Sequence, residues 1–460
     1  MPKVIFSFDT EDYINPAADD FTKRICEVFD ANGVTASFMV VGERARVLVE
    51  RGRLDVIDAL RRHEIGYHSY FHSLHPNVSE YLDGCEWSDG VAEFLGREHE
   101  GFALVQQVFE RDRLWASVPA GYSWAPQMVY GYGRLGIPTQ ADCPITAAQN
   151  RPHHYINQLQ VKYNFWLDDK LLAESWDPIG AEFESHVLMG TQYVITADHP
   201  TILMHSEFPD SVNFRHGANP PRSQWKPSPQ RPAAQQQRAL EHLDRTLKFV
   251  LDHPALEPST FQALAQRYEA PPGGRVGPGP LRALAEHACG AAGSVELNGD
   301  SFSAADQFGL LSHAAAHGSN GTLPDHTPLR RLLGPDRDVV DDGESFESTA
   351  AQVRETARQV ERDLRTHLPH TIAIGDRRVG PATFLKALAH ILRSEAGGEP
   401  SRQVPIEPAP VLPAEAQMEG LKDLTWKGRW EIFHADFEGS NLKRHALLQS
   451  WTIRPAVGRS

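Results

Sequence analysis

Apolar and polar positions along the first 140 residues keep switching between two periods. Val4–Phe8 is an apolar run of strand length. Residues 20–31 then place Phe21, Ile25, Val28 and Phe29 on one face, which predicts a helix. Residues 34–41 are rich in strand formers, 43–62 read as helical, and 65–69 as a short strand. Residues 90–111 again read as a helix, and Leu114–Val118 as a strand stopped by Pro119. Such β-α alternation predicts a parallel sheet or barrel covered by helices. In that architecture, sites gather at the carboxyl ends of strands. From 141 to 230 the pattern is less regular. Two stretches there read as aromatic and polar loops, and between them Thr201–His205 reads as a short apolar strand ending in histidine. Residues 234–251 form a strongly amphipathic helical pattern, and another helical piece runs to Tyr268.

The Pro/Gly-dense stretch APPGGRVGPGP at 270–280 marks a domain boundary. Beyond it, two segments look alike. One carries Gly299, Asp300 and Phe308, the other Gly375, Asp376 and Phe384, and each has an apolar lead-in and an amphipathic continuation. They read as a weak two-fold repeat. PIEPAPVLPAEA reads as a linker, and LTWKGRWEIFHADFEG as an aromatic tail that docks back on the body. The expected division is an α/β domain over 1–270, a smaller, mostly helical (α+β) repeat-containing domain over 271–400, and a linker and tail over 401–460.

Composition changes this picture little. The chain of 460 residues is 41% hydrophobic with a net charge of −15, which argues against nucleic acid or an anionic membrane as main partner. No apolar stretch approaches the ~20 residues of a membrane span. No basic segment leads into an apolar one at the start, so the expected location is cytoplasmic. Cys26, Cys85, Cys143 and Cys289 lie far apart and read as free thiols.

The first strand ends in Asp9, Glu11 and Asp12. Like charges that close repel, and a cation holds them ionised at least cost. His68 and His72 follow the short strand at 65–69. Two neutral imidazoles and a carboxylate make a three-ligand site with an open position for water, as a catalytic zinc requires. The same donors suit cobalt, nickel or manganese. His205 is a third candidate, by its place after a strand. The other His-x-x-x-His pair, His313 and His317, lies on an alanine-rich amphipathic segment and reads as structural.

With these residues assembled, the N-terminal region resembles the polysaccharide deacetylases, the NodB-homology group of carbohydrate esterase family 4. The resemblance covers roughly 1–270 and implies a distorted (β/α)7 barrel. Ser-Phe-Asp-Thr-Glu-Asp at 7–12 is similar to the family's first motif in a variant form. It implies Asp9 as base and Asp12, or alternatively Glu11, as metal ligand. His68-Ser69-Tyr70-Phe71-His72 matches the second motif and implies both histidines as ligands. Ser117-Val118-Pro119-Ala120-Gly121 falls on the third, with Ser117 where the family has an arginine. The backbone amide of Ala120 remains an oxyanion donor. Ile202-Leu203-Met204-His205 resembles the fifth and implies His205 as general acid. Trp166, Trp176 and Tyr122 are candidates for a substrate wall. The implied reaction is removal of an N-acetyl group from an amino sugar of a glycan or glycan precursor, with one divalent metal, zinc foremost. The C-terminal part resembles pseudomurein-binding repeats, which implies glycan contact. Two rivals stand beside this. A haloacid-dehalogenase-type phosphohydrolase also ends a strand in Asp-x-Asp, but Glu11 fits that poorly. A non-catalytic glycan binder is suggested by Ser117.

Overall fold

The computed structural model describes residues 1–145, 147–269, 273–290, 292–318, 322–396 and 403–458. The expected domain limits at 270/271 and 400/401 lie outside the described residues. The protein is of mixed α/β class.

The opening apolar run forms two strands, β1 (Lys3–Ile5) and β2 (Ser7–Thr10), separated only by Phe6. They pair with different neighbours. β2 runs parallel to β3 (Ser37–Val40), which continues through β4 (Glu64–Tyr67), β5 (Ala116–Ser117) and β6 (Thr139–Gln140). Beyond them lie β7 (His153–Tyr155) and β8 (Gln158–Gln160), with β8 parallel to β6 and β7 antiparallel to β8. A tail strand, Arg454–Pro455, pairs with β7 at that edge. The second sheet has the order β11-β1-β10-β9, formed with β9 (Phe165–Trp166), β10 (Tyr193–Ala197) and β11 (Glu257–Pro258). Every residue of β2, β3 and β4 is buried, as expected of parallel strands covered on both faces. Continuous apolar runs, not alternation, were therefore the right signal.

Three sequence expectations differ from what is found. Residues 43–62 form two helices, Gly42–Glu50 and Leu54–Arg61, broken around Gly52. Among its described residues, the stretch 141–230 holds four strands and the helix Asp177–Leu188. Most consequentially, 201–205 is not a strand. Pro200–Met204 is a short helix with proline at its first position, where a missing N–H costs nothing. The strand lies earlier, at β10. A short apolar run is ambiguous between strand and buried helix, and Pro200 was the signal that separates them.

One hydrophobic cluster joins the strands and their helices and takes in Leu421, Trp426, Phe433, Leu442 and Ala446 of the tail. Trp426 is buried, stacks near Trp124 and donates its Nε1–H to Ser79 Oγ at 3.1 Å. A second cluster spans Val276 to Ile406 and includes Trp451. There the chain runs strand, helix, hairpin, helix, strand twice. Gly274–Val276 pairs with Thr327–Leu329, and Phe346–Thr349 with Gln403–Ile406. The hairpins Val295–Phe302 and Ile372–Val379 each feed a helix, Ala304–His317 and Pro381–Ala396. No helix among the described residues is long and apolar enough to cross a membrane.

Candidate active site

The carboxyl ends of β2, β4 and β10 meet at one rim, and each delivers a titratable group. β2 presents Asp9, with Glu11 following. β4 leads directly into His68. β10 ends at Ala197 and is followed by Asp198 and His199. Asp9 Oδ2 lies 3.9 Å from His68 Nε2 and 3.7 Å from His199 Nε2. The rings of His68 and His72 are 4.8 Å apart.

Each imidazole is held by its other nitrogen. His68 Nδ1 lies 3.1 Å from the Val118 carbonyl, so that Nε2 faces the rim. His72 Nδ1 lies 2.7 Å from Ser73 Oγ and 3.2 Å from Asp210 Oδ2. Partners of this kind orient metal-binding imidazoles. His68 is driven well below its ordinary pKa by burial and by His72, so it is neutral and available as a ligand. His199 differs. Burial alone would lower its pKa, but Asp168 and then Glu11 and Asp9 raise it well above the ordinary value. Its Nδ1 sits 2.6 Å from Asp168 Oδ2, and its backbone N–H donates to Asp168 Oδ1 at 2.8 Å. An imidazolium bound by one carboxylate and aimed at another keeps its proton and offers no free nitrogen to a cation.

The carboxylates divide in the same way. Asp12 is saturated by protein donors. The backbone N–H groups of Ile14 and Asn15 donate to Oδ1 at 3.0 and 2.9 Å, and Asn15 Nδ2 and Thr201 Oγ1 donate to Oδ2 at 2.9 and 2.6 Å. Arg44 also bonds the Asp12 carbonyl and forms a buried ion pair with Asp19 at 3.1 Å. Both oxygens of Glu11 are buried without a partner. Burial, together with Asp9 and Asp210, pushes Glu11 well above its ordinary value against the pull of His199. Burial also pushes Asp9 up to about 6 and Asp142 up to about 7, the latter helped by Asp9. So many carboxylates with depressed acidity at one rim describe a site short of positive charge. Glu11, His68 and His72 carry oxygen and nitrogen donors of the kind that zinc-class ions take. They are not among the described residues whose ligand atoms all lie within 4.8 Å of one another. Among the described residues, triads whose ligand atoms lie within 4.8 Å of one another occur at His75, Glu80 and His434 and at His313, His317 and Glu361.

His205 stands beside Asp12. Its Nδ1 faces the Thr201 carbonyl at 3.2 Å and Asp12 Oδ2 at 3.8 Å, within the cluster that fixes the Asp12 turn. His199, which the sequence did not single out, stands 3.7 Å from Asp9 instead. Its signal was the β-branched run before it, Tyr-Val-Ile-Thr-Ala. Trp176 is also elsewhere, buried against Phe249 with its Nε1–H on Thr246 Oγ1 at 2.9 Å. Trp166 and Tyr122 are half exposed and line a groove of about 450 Å³ with Asp142, Lys162 and tail residues that include Glu419, Asp423, Trp426 and Arg429. Trp166 stacks on His199 at 6.1 Å. Ala120 is buried in the loop after β5. A Cβ on the adjacent Gly121, whose φ is +52°, would meet the Trp430 ring at 2.6 Å. Trp430 in turn packs edge-on against His72 at 5.6 Å. The tail therefore walls the site.

Ser117 Oγ has no partner and reaches nothing at the rim. Asp9 is positioned instead by Tyr163, whose hydroxyl donates to Oδ1 at 2.8 Å and lies 2.8 Å from Ser7 Oγ. Hydrogen bonds to charged groups contribute about 1.5–3 kcal/mol. Tyr163→Phe is thus expected to lower turnover by about 10- to 100-fold with metal content unchanged, checked by kinetics and elemental analysis on one preparation.

No known family profile matches the sequence, and no curated protein does. Solved structures do match. A family 4 carbohydrate esterase from Streptomyces lividans, solved with acetate, is 13% identical over 56% of this chain and 92% of its own, with a TM-score of 0.31. A carbohydrate esterase family 4 pseudoenzyme from Bacillus anthracis is 12% identical over 57% of this chain, with a TM-score of 0.34, and the match spans 65% of its length. A 4-alpha-glucanotransferase from Thermococcus litoralis is 10% identical over 58% of this chain and 40% of its own, with a TM-score of 0.38.

Proposed function

We propose that the protein is a metal-dependent carbohydrate deacetylase, hydrolysing the acetamide of an amino sugar. The observation that carries this is Asp9, held by Tyr163 and flanked by His68 on one side and His199 on the other, beside the unpartnered Glu11 carboxylate. Glu11, His68 and His72 would hold the cation, with Glu11 in the place first expected of Asp12. The ion would supply Lewis acidity, lowering the pKa of water from 15.7 towards ~7 and polarising the acetyl carbonyl. Asp9 takes the proton of the attacking water. A backbone amide of the loop at Ala120 donates to the developing oxyanion. His199, charged by Asp168, protonates the leaving amine, in the role first expected of His205. Trp166 and Tyr122 offer aromatic faces to the sugar, and the groove falls within the roughly 300–1,000 Å³ of small-ligand sites.

The two sheets also support the barrel reading. β1 continues into β2 and β8 into β9, and each pair crosses from one sheet to the other. Seven strand positions then follow in a closed order: β1/β2, β3, β4, β5, β6, β8/β9 and β10. The two hydrophobic clusters support a division into a catalytic unit with the tail packed into it and a repeat-built unit between them.

The test is acetate release from acetamido sugars together with metal content. His68→Ala is expected to lose both. Metal content with no acetate release on any acetamido sugar would favour the glycan-binding alternative, and full activity of His68→Ala would overturn the site.

A further inference from the structure

A second group of nitrogen and oxygen donors lies far along the chain, on two packed helices of the repeat region. Helix Ala304–His317 places His313 and His317 one turn apart, so both imidazoles leave the same face. Their ring centroids are 4.3 Å apart. Helix Ala350–Asp363 packs against this helix and adds Glu361, whose Oε1 lies 2.9 Å from His313 Nδ1. One ligand atom of each residue lies within 4.8 Å of the other two. Bonds of ~2.0–2.1 Å in a tetrahedral zinc site set donors ~3.3 Å apart. The gap is within reach of a small side-chain adjustment. The His313 and Glu361 side chains are 17% and 10% exposed, backed by protein yet open to solvent.

The repeat shows that packing does not require these residues. Phe308 and Phe384 hold corresponding places, an offset of 384 − 308 = 76 residues. The same offset carries His313 to Ala389 and His317 to Arg393. At that corresponding helix pair, Arg393 faces Glu286 at 3.8 Å, an ordinary surface ion pair. The same scaffold thus holds a salt bridge on one side and two imidazoles with a carboxylate on the other. Arg330 Nη2 sits 2.5 Å from Glu361 Oε1 and keeps that carboxylate in place. Burial would raise the Glu361 pKa, but His313 and Arg330 hold it below the ordinary value, so the group is ionised.

We propose that His313, His317 and Glu361 form a divalent cation site of the zinc class, independent of the rim at β2, β4 and β10, with water completing the coordination. Two imidazoles select zinc, nickel, cobalt or copper over magnesium and calcium, which take oxygen donors. Arg330 competes for the carboxylate. Bound metal links the two helices and stabilises this region by mass action.

The experiment is equilibrium dialysis of the full chain against zinc near neutral pH, with thermal melting. His68→Ala serves as background, so that the rim is not counted. That background is expected to keep one zinc per chain and a zinc-dependent rise in melting midpoint. Both should vanish in the added His313→Ala/His317→Ala pair. Glu361→Gln should weaken binding by about tenfold or more, and Arg330→Gln should tighten it. Unchanged zinc content in the double-histidine variant overturns the proposal. So does unchanged affinity in Glu361→Gln, which would reduce the group to an exposed histidine pair.

Discussion

Glu11→Gln is expected to abolish both divalent-metal retention and acetate release, whereas Asp12→Asn should keep the metal and lose stability. The two carboxylates are adjacent in sequence, so the contrast isolates what each side chain touches. Every oxygen of Asp12 is spent on protein donors. Asp12→Asn disturbs that turn and should lower stability by about 2–3 kcal/mol, a hydrogen-bond effect. Both Glu11 oxygens are buried and without partners. Losing a directly coordinating oxygen should cost more than the roughly 10–100-fold typical of groups that only orient ligands. The metal-free protein gives a second readout. A buried carboxylate without a donor is unfavourable when ionised. The Glu11 pKa is raised well above 4.5 in the folded state. Its contribution is therefore complete below the unfolded pKa and lost as pH rises through the folded value. Metal-free wild type should lose stability with rising pH in that range, and Glu11→Gln should lose less. Melting curves with and without chelator across pH would show it. Metal loss in Asp12→Asn but not Glu11→Gln would return the ligand role to Asp12.

The second large effect is expected at His199. His199→Gln should lower turnover by about 10²–10⁴-fold, the usual contribution of a general acid, while metal content stays unchanged. Asp168→Asn should follow it part of the way, since the Asp168 carboxylate holds the imidazole at 2.6 Å and keeps it charged. His205→Ala is expected to act differently. His205 supports Thr201 and the Asp12 turn, so its loss should appear first in melting temperature, with turnover within about tenfold of wild type. The pair is checked by single-turnover acetate release alongside metal analysis. A His205→Ala enzyme that melts normally yet has lost turnover, beside an active His199→Gln, would reverse the assignment.

Much of the N-terminal architecture was legible because buried parallel strands write themselves as continuous apolar runs. Val4–Phe8 is buried at every position, and the segments at 34–41 and 65–69 overlap strands that are buried throughout. Asp9, His68 and His72 were legible for the same reason, since each follows such a run closely. The neighbourhood of His205 was not. Thr201–Met204 is as apolar as a strand but is a helical turn, and it sets His205 beside Asp12 at 3.8 Å. Glu11 and Asp12 could not be separated by reading alone. Their chemistry is the same, and only the direction of each side chain, fixed by Thr201 and Asn15 far from or beyond the motif, tells them apart. Trp176 was misread for a similar reason. An aromatic residue in an irregular stretch can face either a groove or the interior, and Thr246, 70 residues on, holds it inside.

Local order thus determined that strands of this chain would end in carboxylates and imidazoles, because hydrophobic periodicity acts over a few residues. Which of those groups share a rim, which are consumed by a turn, and that Tyr163 and Trp430 close around them, was decided only by tertiary structure. Hydrogen bonds and burial between residues more than a hundred positions apart leave no pattern within any short stretch of the chain.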